Sequence, residues 1–155
     1  MIKLNNKGFT LVELLAVIVV LAIIMIVAVP AVLNTMNDAQ RSTFKLYAER
    51  VLNKAQEKYQ ADLMLGETEN RTIEGKHYCY TLSDMELSEK STYAGYVVVE
   101  LDKHLKPKFY VTLSDNNFSI ANFTYTILSD DPTLGEPLSN AEKIALICPE
   151  NLPSP

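Results

Sequence analysis

A run of twenty consecutive uncharged residues, Leu14 to Leu33, constrains this chain more than any other feature of its sequence. The run consists almost entirely of Leu, Ile, Val, Ala and Met. As an α-helix with a rise of about 1.5 Å per residue it would be roughly 30 Å long, which matches the hydrocarbon core of a bilayer. The rest of the chain is polar, so the sequence predicts one helix suited to an apolar environment and one domain suited to water.

The charges outside this run indicate the orientation of the chain. Lys3 and Lys7 precede the run, and by the positive-inside rule we expect a cytoplasmic N-terminus and an exported body. The chain has a formal net charge of −5. Because sequence-independent nucleic-acid binding depends on Lys and Arg that neutralise phosphates, we predict no nucleic-acid contact.

The helical pattern continues beyond the apolar run as an amphipathic helix. Five apolar residues recur at spacings of three or four and therefore share one face: Phe44, Ala48, Val51, Ala55 and Tyr59. Charged residues occupy the other faces, and Gly66 is a typical helix stop signal. The sequence therefore predicts one helix of about fifty residues, apolar in its first half and amphipathic in its second.

After Gly66 the apolar pattern changes to the period of two that is typical of strands. We predict a short strand in HYCYTL (77–82) and a hairpin made of YVVVELD (96–102) and KFYVTLSD (108–115). FSIANFTYTIL (118–128) predicts a further strand. Its alternation slips between Ile120 and Phe123, which indicates a bulge or a strand end.

These elements predict an α+β fold in which a long N-terminal helix packs on an antiparallel β-meander of three to four strands. The apolar stripe of the helix is the natural cover for the apolar face of the sheet. The tail that follows Ser129 is rich in Pro, Asp and Gly. Within it, Ser139 and Glu142 form a capping-box signature that predicts a short helix, with a closing strand at 144–148 as the alternative.

The start of the chain carries a short and specific motif. The segment GFTLVE (8–13) follows Lys7 and leads directly into the apolar run. This arrangement resembles the class III signal of type IV pilins and pseudopilins. The close resemblance covers residues 1–35, and the helix-plus-meander layout extends it over the whole chain at the level of architecture.

The resemblance implies a processing step at the start of the chain. A membrane prepilin peptidase would cut between Gly8 and Phe9 and then N-methylate Phe9. Unlike the apolar segment of an ordinary signal peptide, the hydrophobic helix would stay with the mature protein. The chain would then have four parts: a leader peptide (1–8), a hydrophobic transmembrane and assembly helix (9–33), the amphipathic second half of that helix (34–65), and an exported β-sheet head with a C-terminal tail (66–155).

Glu13 requires a partner, because a carboxylate inside a membrane costs several kcal/mol unless it is paired or faces water. The resemblance implies that Glu13 meets the N-terminal amine of Phe9 in a neighbouring subunit. Such a pair would set the axial register of a filament more than it would add net stability. The alternative is that Glu13 caps its own helix, since the helix dipole favours a negative charge at the N-terminus.

Pro30 lies late in the apolar run and cannot donate a hydrogen bond to the carbonyl of Ile26. The resemblance implies a helix weak point, where the helix adjusts between membrane and filament. The alternative is a tolerated kink, which is common in membrane helices.

The two cysteines, Cys79 and Cys148, would both lie in the exported part of the chain, where an oxidising compartment permits one disulfide. Two buried free thiols are the alternative. His77 and Cys79 are too few ligands for a zinc site. Asp130 and Asp131 are interpreted as solvated turn carboxylates, and we predict neither a metal nor a cofactor.

Together these features predict a structural subunit of a type IV pilus-like filament for adhesion, motility or DNA uptake. We predict no enzyme, because the sequence contains neither a recognisable nucleophile with its base nor a Gly-rich phosphate loop. A pseudopilin of a type II secretion or competence system is one alternative. A membrane-anchored binding domain that never polymerises is another.

The resemblance also implies partners and a location. The partners are identical or related pilin subunits, the prepilin peptidase, and an assembly ATPase with its platform protein. The chain would be held in the cytoplasmic membrane by a single span before assembly, with its N-terminus cytoplasmic and its head exported. After assembly it would form part of a cell-surface filament.

Overall fold

The computed structural model describes residues 9–66, 72–73, 77–87, 92–130 and 132–149. The predicted leader 1–8, which includes Gly8, and Asp131 lie outside the described residues. The chain forms two compact units, an N-terminal unit (Met1–Ala39) and a C-terminal unit (Gln40–Pro155).

Helix α1 (Leu11–Leu65) is 55 residues long, which confirms the single long helix predicted from the sequence. It ends before Gly66, whose φ of 72° lies in the left-handed region. A side chain with a Cβ is disfavoured there, so glycine at this position stops the helix as predicted.

The part of α1 in the C-terminal unit buries the predicted apolar stripe. Phe44, Ala48, Val51 and Ala55 are completely buried, and Tyr59 is nearly so. Asp62, one turn before the end of the helix, is also completely buried, and its carboxylate lies 3.1 Å from the Nζ of Lys58. Burial of one large apolar side chain contributes about 1.5–3 kcal/mol, so this stripe fixes which face of the helix meets the sheet.

The helix packs on an antiparallel meander, which confirms the predicted α+β fold. Within the described residues the sheet has five strands in the order in which they occur along the chain. They are β1 (Thr72–Ile73), β2 (His77–Thr81), β3 (Ala94–Leu101), β4 (Pro107–Ser114) and β5 (Ser119–Phe123). The predicted strands correspond to β2–β5, and the two-residue β1 extends the sheet beside His77 and Tyr78.

Side chains alternate between the two faces of each strand, so the apolar side chains of one face of the sheet point towards α1. Tyr80, Val97, Val99, Val111 and Leu113 are completely buried and form a core with the helical stripe. Cross-strand pairing explains this grouping, since Tyr80 is opposite Val97 and Val97 is opposite Val111. Side chains that lie opposite each other on one face pack directly together.

Aromatic pairs show how α1 and the sheet are aligned. Near residue 40, Phe44 contacts Phe118 with ring centroids 5.8 Å apart, and Tyr47 stacks on Tyr93 at 3.9 Å. Near the end of the helix, Tyr59 meets the edge of Phe109 at 5.8 Å. We call the end of the C-terminal unit that contains Phe44 and Tyr47 the proximal end. The opposite end, which contains Tyr59 and Phe109, is the distal end. The β3–β4 turn, residues 102–106, therefore lies at the distal end.

The expected irregularity in the last strand is present. The register between β4 and β5 shifts between Val111 and Leu113. Asn122 has a φ of 58°, a conformation that Asn tolerates better than most residues. The ladder ends one residue later, at Phe123.

The prediction that this strand continues to residue 128 is wrong, because helix α2 (Tyr125–Ser129) follows β5 directly. Thr124 caps α2 by accepting the backbone N–H of Ile127 at 3.5 Å. Leu128 is buried in the core, which a helical turn achieves and a continued strand would not. Local capping and the position of the core therefore override the β-like composition of the segment.

The predicted capping box in the tail is confirmed, and it starts the short helix α3 (Asn140–Ile144). The Ser139 Oγ accepts the N–H of Glu142 at 3.3 Å, and the Glu142 carboxylate accepts the N–H of Ser139 at 2.8 Å. Hydrogen bonds from the side chain and backbone of Ser139 lower the pKa of Glu142. The alternative of a closing strand from residue 144 does not form.

The tail, residues 132–149, is bonded to three strands of the sheet, β5, β4 and β2. Gly135 and Ser119 exchange two backbone hydrogen bonds of 2.8 and 3.0 Å, which extends the pairing beyond β5. The N–H of Leu138 donates to the buried Ser114 Oγ at 3.2 Å. A disulfide then joins Cys148 to Cys79 in β2, with the Cα atoms 5.8 Å apart.

We expect Gly95→Ala to lower the free energy of unfolding by about 3 kcal/mol, the upper range for overpacking. An added Cβ would overlap the backbone carbonyl of Thr112 and lie 2.9 Å from the Cα of Leu113, and backbone atoms cannot move aside as a side chain can. Urea unfolding of the full chain in detergent measures the effect. Gly66→Ala is the control: nothing lies within 4 Å of its added Cβ, so only its left-handed φ costs about 1–2 kcal/mol. Equal losses from both variants would contradict the prediction.

We expect Cys148→Ser to lower the free energy of unfolding by about 4 kcal/mol, because the disulfide closes a loop between residues 69 positions apart. Urea unfolding with and without reductant measures this effect. Cys79→Ser and the double variant should show a similar loss, and reductant should destabilise only the wild-type chain. Unchanged stability in the single variants would show that the tail needs no covalent attachment.

Candidate functional site

The start of α1 is closed by a reciprocal cap between Thr10 and Glu13. Thr10 precedes the first helical residue, Leu11, and its Oγ1 accepts the N–H of Glu13 at 3.3 Å. The Oε2 of Glu13 accepts the backbone N–H of Thr10 at 2.8 Å and its hydroxyl at 2.9 Å. This arrangement is a capping box, which satisfies two backbone donors at the helix N-terminus.

Thr10 is therefore a site residue that the sequence analysis missed. The sequence does indicate this cap, because Thr10 and Glu13 place a hydroxyl and a carboxylate at the same spacing as the capping box of Ser139 and Glu142. The cap gives Glu13 a role within its own chain. Since a carboxylate can accept about four hydrogen bonds, the two donors of Thr10 leave capacity for a further donor.

Phe9, the residue at the proposed cleavage point, lies directly before this cap. Its side chain is 83% exposed. The structure thus places Phe9 and Glu13 within one helical turn, at the exposed start of α1. Gly8 lies outside the described residues, so the geometry of the cleavage bond is not described.

The apolar first part of α1 is exposed among the described residues of the N-terminal unit. Among the described residues, α1 is long and apolar enough to cross a membrane, and none of its most apolar window is buried. Ile26 and Val27, for example, are each 73% exposed. A continuous apolar surface of this size is not stable in water, so it must be covered by lipid or by other polypeptide chains.

Helix α1 continues through Pro30 without interruption. Pro30 lacks the N–H that would bond to the carbonyl of Ile26. One turn further, the Thr35 hydroxyl donates to the carbonyl of Ala31 at 3.0 Å. A threonine that bonds back to its preceding turn often bends a helix slightly, so two features that weaken regular helical bonding lie within six residues.

The remaining predicted site residues, Cys79 and Cys148, lie in the C-terminal unit. Cys79 is bonded to Cys148, so its sulfur is not a thiolate that could bind zinc beside His77. The Nε2 of His77 lies 3.9 Å from the Oε1 of Glu100. Within the described part of the chain, no three His, Cys, Asp or Glu residues converge as metal ligands.

Comparison with protein-family models matches residues 3–29 to the prokaryotic N-terminal methylation motif. Comparisons with curated proteins and with solved structures give no significant match. The matched segment contains the Thr10–Glu13 cap and most of the exposed apolar helix. The motif is characteristic of type IV pilins and pseudopilins, and it implies processing by a peptidase and assembly with other pilin subunits in general. The N-terminal segment of this chain is therefore similar to that of type IV pilins and pseudopilins, and the long helix with its antiparallel sheet is a pilin-like α+β arrangement.

Proposed function

We propose that this chain is a structural subunit of a type IV pilus-like filament that serves adhesion, motility or DNA uptake. The observation that carries the proposal is the methylation motif leading directly into an apolar helix that is exposed among the described residues. In the membrane, lipid covers this helix. In the filament, identical or related helices cover it, so the same surface serves both states.

The proposal includes a pathway of maturation. A prepilin peptidase removes the leader 1–8 by cutting between Gly8 and Phe9, and it methylates the new amine of Phe9. The mature chain remains in the cytoplasmic membrane as a single span, with the C-terminal unit exported. An assembly ATPase and its platform protein then supply the work that moves the subunit into a surface filament.

N-terminal mass spectrometry of the mature protein tests the first step, with and without a co-expressed prepilin peptidase. We expect a peptide that begins with methylated Phe9 only when the peptidase is present. Electron microscopy of the same cells tests the second step, for which we expect long surface filaments. Short filaments confined to the envelope would favour a pseudopilin, and an unprocessed monomer that keeps Met1 would contradict the proposal.

We propose that Glu13 has two successive partners. In the single chain it caps α1 through Thr10. In the filament its carboxylate meets the Phe9 amine of a neighbour, because a charged amine and a carboxylate are each costly alone in a dry bundle. The first role requires a hydrogen-bond acceptor, whereas the second requires a negative charge.

This difference separates the two roles of Glu13. Glu13→Gln keeps the acceptor and the capping box but removes the charge, so we expect normal processing and a loss of filaments. Thr10→Val removes the capping hydroxyl but keeps the charge, and we expect it to weaken the helix start by about 1 kcal/mol while filaments still form. Filament yield by shearing and immunoblotting measures both. Normal filaments from Glu13→Gln would show that Glu13 acts only as a cap.

We propose that Pro30 is a weak point where α1 loosens during assembly. It removes one helical hydrogen bond next to the threonine at position 35 that bonds back to its own helix. Hydrogen exchange of assembled filaments should therefore show fast exchange in the turn that contains Ile26 and Pro30. Pro30→Ala should slow this exchange, and full protection of the wild-type turn in filaments would contradict the proposal.

A further inference from the structure

The arrangement of charges on the C-terminal unit points to a contact between successive subunits, an inference that rests on the proposed filament. In a filament built by one repeated rotation and translation, all copies point the same way, so one surface of a subunit meets a different surface of the next. With the second part of α1 along the filament axis, the distal end of one C-terminal unit faces the proximal end of another.

The distal end carries an exposed basic turn, which we call the distal tip (residues 102–108). Lys103, Lys106 and Lys108 in this tip are all exposed. The Oδ1 of Asp102 accepts the backbone N–H groups of His104 and Lys106 at 2.8 and 2.9 Å. That carboxylate therefore holds the shape of the turn. The turn presents the ammonium groups of Lys103 and Lys106, and β4 adds that of Lys108, which lies opposite Glu100.

Leu105, at the centre of the distal tip, is both strained and exposed. Its φ of 60° lies in the left-handed region, and its side chain is 77% exposed. This conformation costs a residue with a Cβ about 1–2 kcal/mol, which glycine would avoid. The backbone conformation closes the turn, because the Leu105 N–H donates to the Asp102 carbonyl at 2.9 Å. The leucine side chain is exposed there and available to a partner.

The proximal end carries exposed carboxylates from four separate segments. They are Glu86 in the turn after β2, Asp130 at the end of α2, Glu136 beside Ser119, and Glu142 in α3. Tyr47 and Arg41 hold two of these segments in place, since Tyr47 donates to the Leu87 carbonyl at 2.9 Å and Arg41 to the Pro132 carbonyl at 2.7 Å.

Among the described residues, three cations also lie at the proximal end, and each makes a hydrogen bond or is partly buried. Arg41 donates to the tail as described, and the Nζ of Lys143 donates to the Asn116 Oδ1 at 2.6 Å. Lys45 is half-buried, and burial, with a smaller contribution from the charge of Arg41, lowers its pKa. The exposed charges of the described residues at this end are therefore mainly carboxylates.

We propose that the distal tip of one subunit docks on the acidic proximal surface of the next copy of this chain, with Leu105 at the centre of the contact. Opposite charges on the two ends suit this head-to-tail contact and oppose contacts between like ends. The contact would order the C-terminal units along the filament independently of the apolar helices.

A charge-swap experiment in the full chain, co-expressed with the peptidase and assembly machinery, tests this contact. We expect Lys106→Glu/Lys108→Glu to lower filament yield roughly tenfold, and Asp130→Lys/Glu136→Lys to do the same, because each places like charges together. Co-expression of these two variants, or all four changes in one chain, should restore filaments. Lys106→Arg/Lys108→Arg is the control, and its yield should equal that of the wild type.

Leu105→Gly provides a second test that misfolding cannot explain, because glycine relieves the left-handed strain. We expect unchanged or higher thermal stability together with a lower filament yield. Normal filaments from the charge-reversed or Leu105 variants would overturn the inference. So would failure of the four-change chain to restore filaments when its melting temperature and disulfide match the wild type.

The failure of this inference is distinct from the failure of the proposed function. If the distal and proximal variants form filaments as the wild type does, whereas Glu13→Gln forms none, only the contact proposed here is overturned. Absence of filaments from the correctly processed wild-type chain would overturn the proposed function, and this contact with it.

Discussion

The exposed apolar surface of the first part of α1 is the constraint on which the rest of this protein depends. The apolar side chains of this run, such as Ile26 and Val27, are exposed, and they take no part in the core of the C-terminal unit. Only lipid or other chains can remove this surface from water. A helix of this kind therefore requires an apolar partner in every state of the protein, and in the proposed function that partner changes from lipid to neighbouring helices.

The cap at the start of α1 shows how a charge can be accommodated beside such a surface. Glu13 accepts two hydrogen bonds from Thr10 and lies where the helix dipole favours a negative charge. The cap stabilises the charged carboxylate in a single subunit. It uses only part of the carboxylate's capacity to accept hydrogen bonds. In the proposed filament this remaining capacity meets the amine of Phe9, so one side chain serves both the stored and the assembled state.

The C-terminal unit solves a different problem, which is to remain folded in water with a small core. The stripe of α1 covers one face of the meander, and the tail is fastened to the sheet at Ser119 and, through the disulfide, at Cys79. Because these attachments join segments that are distant in sequence, they stabilise the unit as a whole rather than any single element. They also hold the acidic segments of the proximal end at fixed positions.

The sequence by itself determined the elements that depend on local pattern. A period of 3.6 predicted α1 with its buried stripe, a period of two predicted β2–β4, and the serine and glutamate of the tail predicted the cap of α3. Only the tertiary structure decided the features that depend on distant neighbours. The segment after β5 forms a helix that buries Leu128 in the core, although the local composition favours a strand. The pairing of Cys79 with Cys148 and the separation of charges between the two ends likewise depend on how the tail crosses the sheet, because no local period in the chain encodes such a path.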